Sequence, residues 1–216
     1  TLEKRNNGNI LIGTSRGLFE YDRKNDRFSN FYSHPVLGKY ARNVIKCIRE
    51  DAAGRWWLGM YGAGVLVYDT KAQRITALFS TESKEKLNNN IVNTFLEDGH
   101  LNMWIGTRDG LSFYNSSSQK ITTYTQNDGM LNTWICGLQR DRLGRIWIGT
   151  GNGLCVMNKD HKIFKVFGEE DGLPSPAFND QQAYALPDGR LLFPSRKGFV
   201  VFDPMRFNWP DPQPEV

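Results

Sequence analysis

The chain has 216 residues, with 27 Lys and Arg against 23 Asp and Glu, a formal charge of +4. So small an excess, with no basic run, leaves no footprint for nucleic acid, and no nucleic-acid partner is expected. Apolar residues at 39% can build a core, no apolar run is long enough to span a membrane, Thr1–Arg5 holds no signal-peptide core, and an odd three cysteines exclude a disulfide framework.

In chain order, five segments repeat: Ile10–Thr14, Trp56–Met60, Met103–Thr107, Ile146–Thr150 and Leu191–Ser195. Their fourth positions, 13, 59, 106, 149 and 194, are spaced by 46, 47, 43 and 45 residues. A second glycine follows each segment, at Gly17, Gly64, Gly110, Gly153 and Gly198, and opens an apolar stretch. That stretch ends at Tyr21, Tyr68, Tyr114, Met157 or Phe202 and is followed by Asp22, Asp69, Asn115, Asn158 or Asp203. Upstream, Asp51, Asp98 and Asp141 each stand eight residues before the first glycine, and Asp188 is their counterpart in a shorter turn.

Each period therefore holds four short apolar stretches, here strands A to D. In the copy around residue 100 they are Ile91 to Glu97, Asn102 to Thr107, Leu111 to Tyr114 and Lys120 to Thr125. Such lengths and such Trp, Ile, Val, Tyr and Thr content suit strands. Asp109-Gly110 and Asn152-Gly153 are hairpin turns. Strand B is solidly apolar, which implies burial on both faces. Four-stranded units of about 45 residues are the period of a β-propeller. The fold class is all-β, an arc of four-stranded antiparallel blades with repeat units starting near 10, 43, 91, 134 and 178. The first unit reads as lacking strand A and the last as lacking strand D. That makes eighteen strands, three full blades and two partial ones, a fragment of a larger propeller with open edges that favour self-association. Residues 1–204 form the blades and 205–216 a Pro-rich linker to a following domain.

The repeated residues have structural readings. Trp57, Trp104 and Trp147 are inter-blade core, and Trp56 faces the other side. The repeated aspartates accept backbone N–H bonds at their turns. Cys47, Cys136 and Cys155 are buried apolar residues. His34, His100 and His161 share no column and are expected on the solvated surface. No catalytic pairing is supported by spacing, and no cofactor or metal is expected.

Asp141-Arg142-Leu143-Gly144-Arg145-Ile146-Trp147-Ile148-Gly149-Thr150-Gly151-Asn152-Gly153-Leu154 resembles the two-component regulator propeller repeat, and Asp98 to Leu111 is similar, with Leu101 in place of the turn glycine. The last unit, from Glu170-Asp171-Gly172-Leu173-Pro174 to Phe202-Asp203-Pro204, is similar to the terminal propeller unit of those proteins. Leu11, Leu192 and Pro194 depart from the pattern. The resemblance implies the periplasmic sensor region of a Bacteroidetes hybrid two-component histidine kinase in the inner membrane, responding to glycan fragments and controlling glycan-utilisation genes. Its implied partners are an oligosaccharide or other small-molecule ligand, the remaining blades, a following β-sandwich domain and, through the parent receptor, a second copy. A propeller lyase or glycosidase and a protein-interaction propeller remain alternatives.

The B–C turns and the D–A connections lie at one end of an antiparallel blade, and they vary from copy to copy while the strands do not. Binding groups ride on such loops. Arg forks suit hydroxyl pairs or carboxylates, and aromatic rings suit sugar faces. The candidate ligand contacts are Tyr61, Arg108, Trp134 and Arg196.

Overall fold

A computed structural model describes residues 1–180 and 183–207. The described residues hold nineteen strands in five antiparallel sheets. Blade 1 is β1 (Leu2–Lys4), β2 (Ile10–Thr14), β3 (Gly17–Asp22) and β4 (Arg27–Asn30). Blade 2 is β5 (Ile45–Glu50), β6 (Arg55–Met60), β7 (Gly64–Asp69) and β8 (Arg74–Phe79). Blade 3 is β9 (Val92–Glu97), β10 (Met103–Thr107), β11 (Leu111–Asn115) and β12 (Lys120–Tyr124). Blade 4 is β13 (Ile135–Arg140), β14 (Ile146–Thr150), β15 (Leu154–Met157) and β16 (Ile163–Phe167). Blade 5 has three strands, β17 (Tyr184–Ala185), β18 (Leu191–Ser195) and β19 (Gly198–Phe202).

One expectation is corrected. Blade 1 has its strand A: Leu2, Glu3 and Lys4 pair with Ile12, Leu11 and Ile10. Leu2-Glu3-Lys4 is too short and too polar to stand out as an apolar stretch. It is held by the ladder and by the Thr1 ammonium, which donates to the Gly13 carbonyl at 2.9 Å. Four blades are therefore complete, and blade 5 alone has three strands among the described residues.

The chain divides into two compact units. The first takes Thr1–Arg108 with Ser112–Thr123, and the second takes Asp109–Leu111 with the chain from Tyr124 onward. In the first unit, blade 2 is buried on both faces. Trp56 points into a cluster with Leu11, Leu18, Ile48 and Tyr68. Trp57, one residue on, points into the opposite cluster with Val92, Phe95, Met103 and Tyr114. Both tryptophans are buried, which is why strand B loses the alternation of a half-solvated strand. Gly59 explains the small residue in the middle of that strand. A Cβ there would stand 2.3 Å from Cys47 Sγ and 2.9 Å from Val92 Cγ1, so the glycine lets strand A of the next blade lie close against strand B. In the second unit, Trp147, Phe178, Phe193 and Val200 form the corresponding core.

Met205 to Phe207, placed by the sequence in the linker, fold back onto the second unit. A 3-10 turn at Pro204–Arg206 is capped by Asp203 Oδ1, which accepts from Met205 N at 2.9 Å. Arg145 then donates to the carbonyls of Pro204 at 2.6 Å and Phe207 at 2.9 Å. Trp209 and the rest of the predicted linker lie outside the described residues. No helix among the described residues is long and apolar enough to cross a membrane.

Candidate functional site

The carboxylate of Asp51 shows why the repeated acids are structural. Its Oδ1 accepts from Ala53 N and Arg55 N, and its Oδ2 accepts from Arg55 Nε at 2.7 Å and Trp57 Nε1 at 2.8 Å. Asp141 repeats the arrangement with Leu143, Arg145 and Trp147. Each of these carboxylates spends its lone pairs on four donors. The turn therefore positions the core tryptophan, and these two carboxylates are committed to structure.

The histidines are more engaged than expected for solvated side chains. His34 Nδ1 accepts from the backbone of Val36 and Leu37, and its ring meets Tyr68 edge-on at 5.6 Å. His161 Nδ1 lies 3.1 Å from the Tyr124 hydroxyl. His100 is exposed, as expected. The three cysteines are buried free thiols. Burial pushes the Cys47 and Cys155 thiols up, away from the reactive thiolate.

The variable end of the blades is held by one repeated bond. The residue after strand B donates its N–H to the chain that leads into strand A: Tyr61 to Val44, Arg108 to Ile91 and Gly151 to Trp134, each just before strand A, and Arg196 to Ala177, beside the Phe178–Ser195 bridge, at 2.9–3.2 Å. Tyr61, Arg108 and Arg196 thus occupy equivalent places, and Gly151 is their counterpart in blade 4. The second glycine of the turn is dictated by the same packing. Gly64 has φ +75°, its N–H donates to the Asn90 carbonyl, and a Cβ there would sit 2.0 Å from the Phe79 carbonyl oxygen.

In the first unit two candidates come together. The Arg108 guanidinium carbon lies 5.8 Å from the centre of the Tyr61 ring, and Lys46 Nζ lies 5.9 Å from it. Tyr61 is 50% exposed. Lys46 Nζ donates to Asn93 Oδ1 at 2.7 Å, joining strand A of blade 2 to strand A of blade 3. Both residues are extra residues in their strands. The A–B register skips Lys46 between Ile45 and Cys47, and it skips Asn93 between Val92 and Thr94. Cys136 is skipped in the same way in blade 4. A bulge re-aims the side chain of the inserted residue, and in blades 2 and 3 it brings the polar side chains of Lys46 and Asn93 together, while Cys136 stays in the core. Lys46 and Asn93 were absent from the sequence candidates. Their signal was a polar residue at the second position of an otherwise apolar strand A.

In the second unit, Trp134 donates Nε1–H to Asp180 Oδ1 at 2.6 Å. Its ring lies over Gly151, where a Cβ would be 3.4 Å from Trp134 Cε3. Asp180 follows Asn179, whose side chain donates to the Ser195 carbonyl at 3.0 Å, next to the exposed Arg196. Tyr61 with Arg108 belongs to one compact unit and Trp134 with Arg196 to the other. Among the described residues no group of three His, Cys, Asp or Glu could hold a metal.

Residues 129–152 match the family model described as two component regulator propeller, so the copy that carries Asp141 to Asn152 is a repeat of that kind. No curated protein matches the chain. Among solved structures, the chain is similar to the extracellular domain of BT3049 from B. thetaiotaomicron, described as a hybrid two component system. The TM-score is 0.82 at 23% identity, over 94% of this chain and 27% of that one. It is also similar to PorZ, a surface component of the type-IX secretion system of Porphyromonas gingivalis, with TM-score 0.72 at 18% identity over 94% of this chain and 31% of that one. A third likeness is to virginiamycin B lyase from Staphylococcus aureus, with TM-score 0.63 at 14% identity over 90% of this chain and 62% of that one. At these identities the likeness is one of fold. The chain spans about a quarter of the length of the BT3049 domain.

Proposed function

We propose that this chain, which carries a two component regulator propeller repeat, is part of the extracytoplasmic sensor region of a hybrid two component histidine kinase and binds a carbohydrate fragment on the B–C turn end of its blades. One observation carries the ligand reading: Tyr61 stands half-exposed on a rigid blade with Lys46 and Arg108 on its flanks. An aromatic ring suits a sugar, and cations near it suit hydroxyl pairs or a carboxylate. The module itself binds and does not turn over its ligand. In this reading the parent receptor sits in the inner membrane with its propeller in the periplasm. The remaining blades and a β-sandwich domain complete it, dimerisation passes the signal on, and the output is control of glycan-utilisation genes.

The lyase alternative has less support. His34 is engaged by backbone donors and His161 by the Tyr124 hydroxyl, and Asp51 and Asp141 are saturated by turn and core donors.

The test is calorimetric titration of the protein with neutral and acidic mono- and oligosaccharides, repeated with Tyr61→Ala and Arg108→Ala. One saccharide class is expected to bind, and the variants to bind it at least tenfold more weakly at an unchanged melting temperature. The proposal fails if no saccharide binds, or if both variants bind as the parent does.

A further inference from the structure

Blades 2 and 4 carry the same Asp–Arg–Trp arrangement, and in blade 4 it grips a peptide. Asp141 holds Arg145 through Nε, leaving the outer nitrogens to donate to the carbonyls of Pro204 and Phe207. The Phe207 ring then rests among Trp147, Phe167 and Phe202, with centroids 5.7, 5.5 and 6.1 Å away.

Blade 2 reproduces this receptor in the first unit. Asp51 holds Arg55 through Nε at 2.7 Å. The guanidinium carbon lies 5.7 Å from the ring centre of Trp57, as Arg145 does from Trp147. Trp57 and Phe79 stack at 6.2 Å, as Trp147 and Phe167 stack at 6.0 Å. Tyr114 stands 5.4 Å from Trp57, in the place that Phe202 takes beside Trp147 at 4.7 Å. Arg55 Nη2 is buried and has no hydrogen-bond partner among the described residues. Arg55, Trp57, Phe79 and Tyr114 line a cleft of about 570 Å³ whose rim includes Lys84 and Gln119. Ile121 of β12 packs against the aromatic cluster, and the β8 residues Arg74 to Phe79 form one wall of the cleft.

We infer that this cleft is a second binding site, and that its ligand is an extended peptide segment of a partner protein. A main-chain carbonyl of the segment accepts from the Arg55 guanidinium, whose side chain is 20% exposed, and an aromatic side chain a few residues along lies against Trp57, Phe79 and Tyr114. Two forces favour this ligand. A guanidinium held in place by a carboxylate donates strong charge-assisted hydrogen bonds to a carbonyl in a partly enclosed cleft. Aromatic rings gather further rings edge-on or offset. The chemistry of the guest is that of Asp203-Pro204-Met205-Arg206-Phe207, the segment that the sister site already holds.

The probe is the capped pentapeptide Asp-Pro-Met-Arg-Phe, titrated into the 15N-labelled protein while the indole N–H signals of Trp57 and Trp147 are followed. A saturable shift at Trp57 is expected. It should weaken at least tenfold when the last residue of the peptide is alanine, and equally in Arg55→Gln. Lys84→Trp, an exposed rim change that leaves the Asp51–Arg55 pair intact, should block the cleft and abolish the shift with no loss of folding. The inference is overturned if the peptide produces no saturable shift, if it shifts Trp147 instead by displacing the resident segment, or if Lys84→Trp binds as the parent does. These readouts are independent of the saccharide titration, so the two readings stand or fall separately.

Discussion

Trp147 donates its indole N–H to Asp141 Oδ2 at 2.8 Å, six residues back along the chain, and Trp57 makes the same 2.8 Å bond to Asp51. The bond joins a tight turn to an inter-blade core, so the acid that shapes the turn also orients the largest side chain buried behind it. Both aspartates are fully buried as side chains and are paired with an arginine. Removing Asp141 leaves a guanidinium and an indole N–H without their acceptor. Asp141→Ala is expected to cost about 3–5 kcal/mol. The exposed counterpart, Asp188 with Arg190, should cost below about 1 kcal/mol when replaced by alanine. Urea midpoints of the two variants check this, and equal losses would refute it.

Gly59 is a second point where neighbouring strands meet without slack. Gly59→Ala places a methyl group against Cys47 and Val92. An overpacked core typically loses about 1–3 kcal/mol, and thermal melts of the variant should show that loss.

Leu101 takes the place of the turn glycine and adopts its conformation, with φ +62° beside +83° at Gly54 and +81° at Gly144. A side chain in the left-handed region costs roughly 1–2 kcal/mol. Leu101→Gly should therefore raise stability by about 1 kcal/mol, less the small apolar contact that it loses. A lowered denaturation midpoint would show that the leucine is held by packing.

Glu3 gives a pH dependence of known sign. Burial pushes its carboxyl above the ordinary range, against the Glu50 N–H that it accepts at 3.1 Å and the nearby Arg49. The folded value lies above the unfolded one. The group's favourable contribution is thus present below the unfolded carboxylate range and is lost as pH climbs through the folded value. Glu3→Gln keeps an acceptor for Glu50 and removes the charge. Its melting temperature should exceed the parent's at pH 7, and the two should converge below about pH 4.

The repeat, the strands and the turn chemistry were legible in the chain alone. Trp57, Trp104 and Trp147, the glycines that follow them and the aspartates that precede them recur in phase, and a recurring local pattern needs no tertiary information to be seen. What the sequence could not show depends on partners far along the chain. Leu2-Glu3-Lys4 becomes a strand because β2 offers it a ladder, and its own composition does not demand one. Lys46 and Asn93 meet because each is the extra residue of a bulge, and a bulge exists only once two strands are in register. Asn93 and Lys46 are 47 residues apart, and Arg145 reaches Pro204 across 59. Local propensity determined the blades of this protein. The pairing of candidate contacts, and the difference between the occupied grip of Arg145 and the open cleft of Arg55, were decided by side chains that only the packing of blade against blade brings within reach.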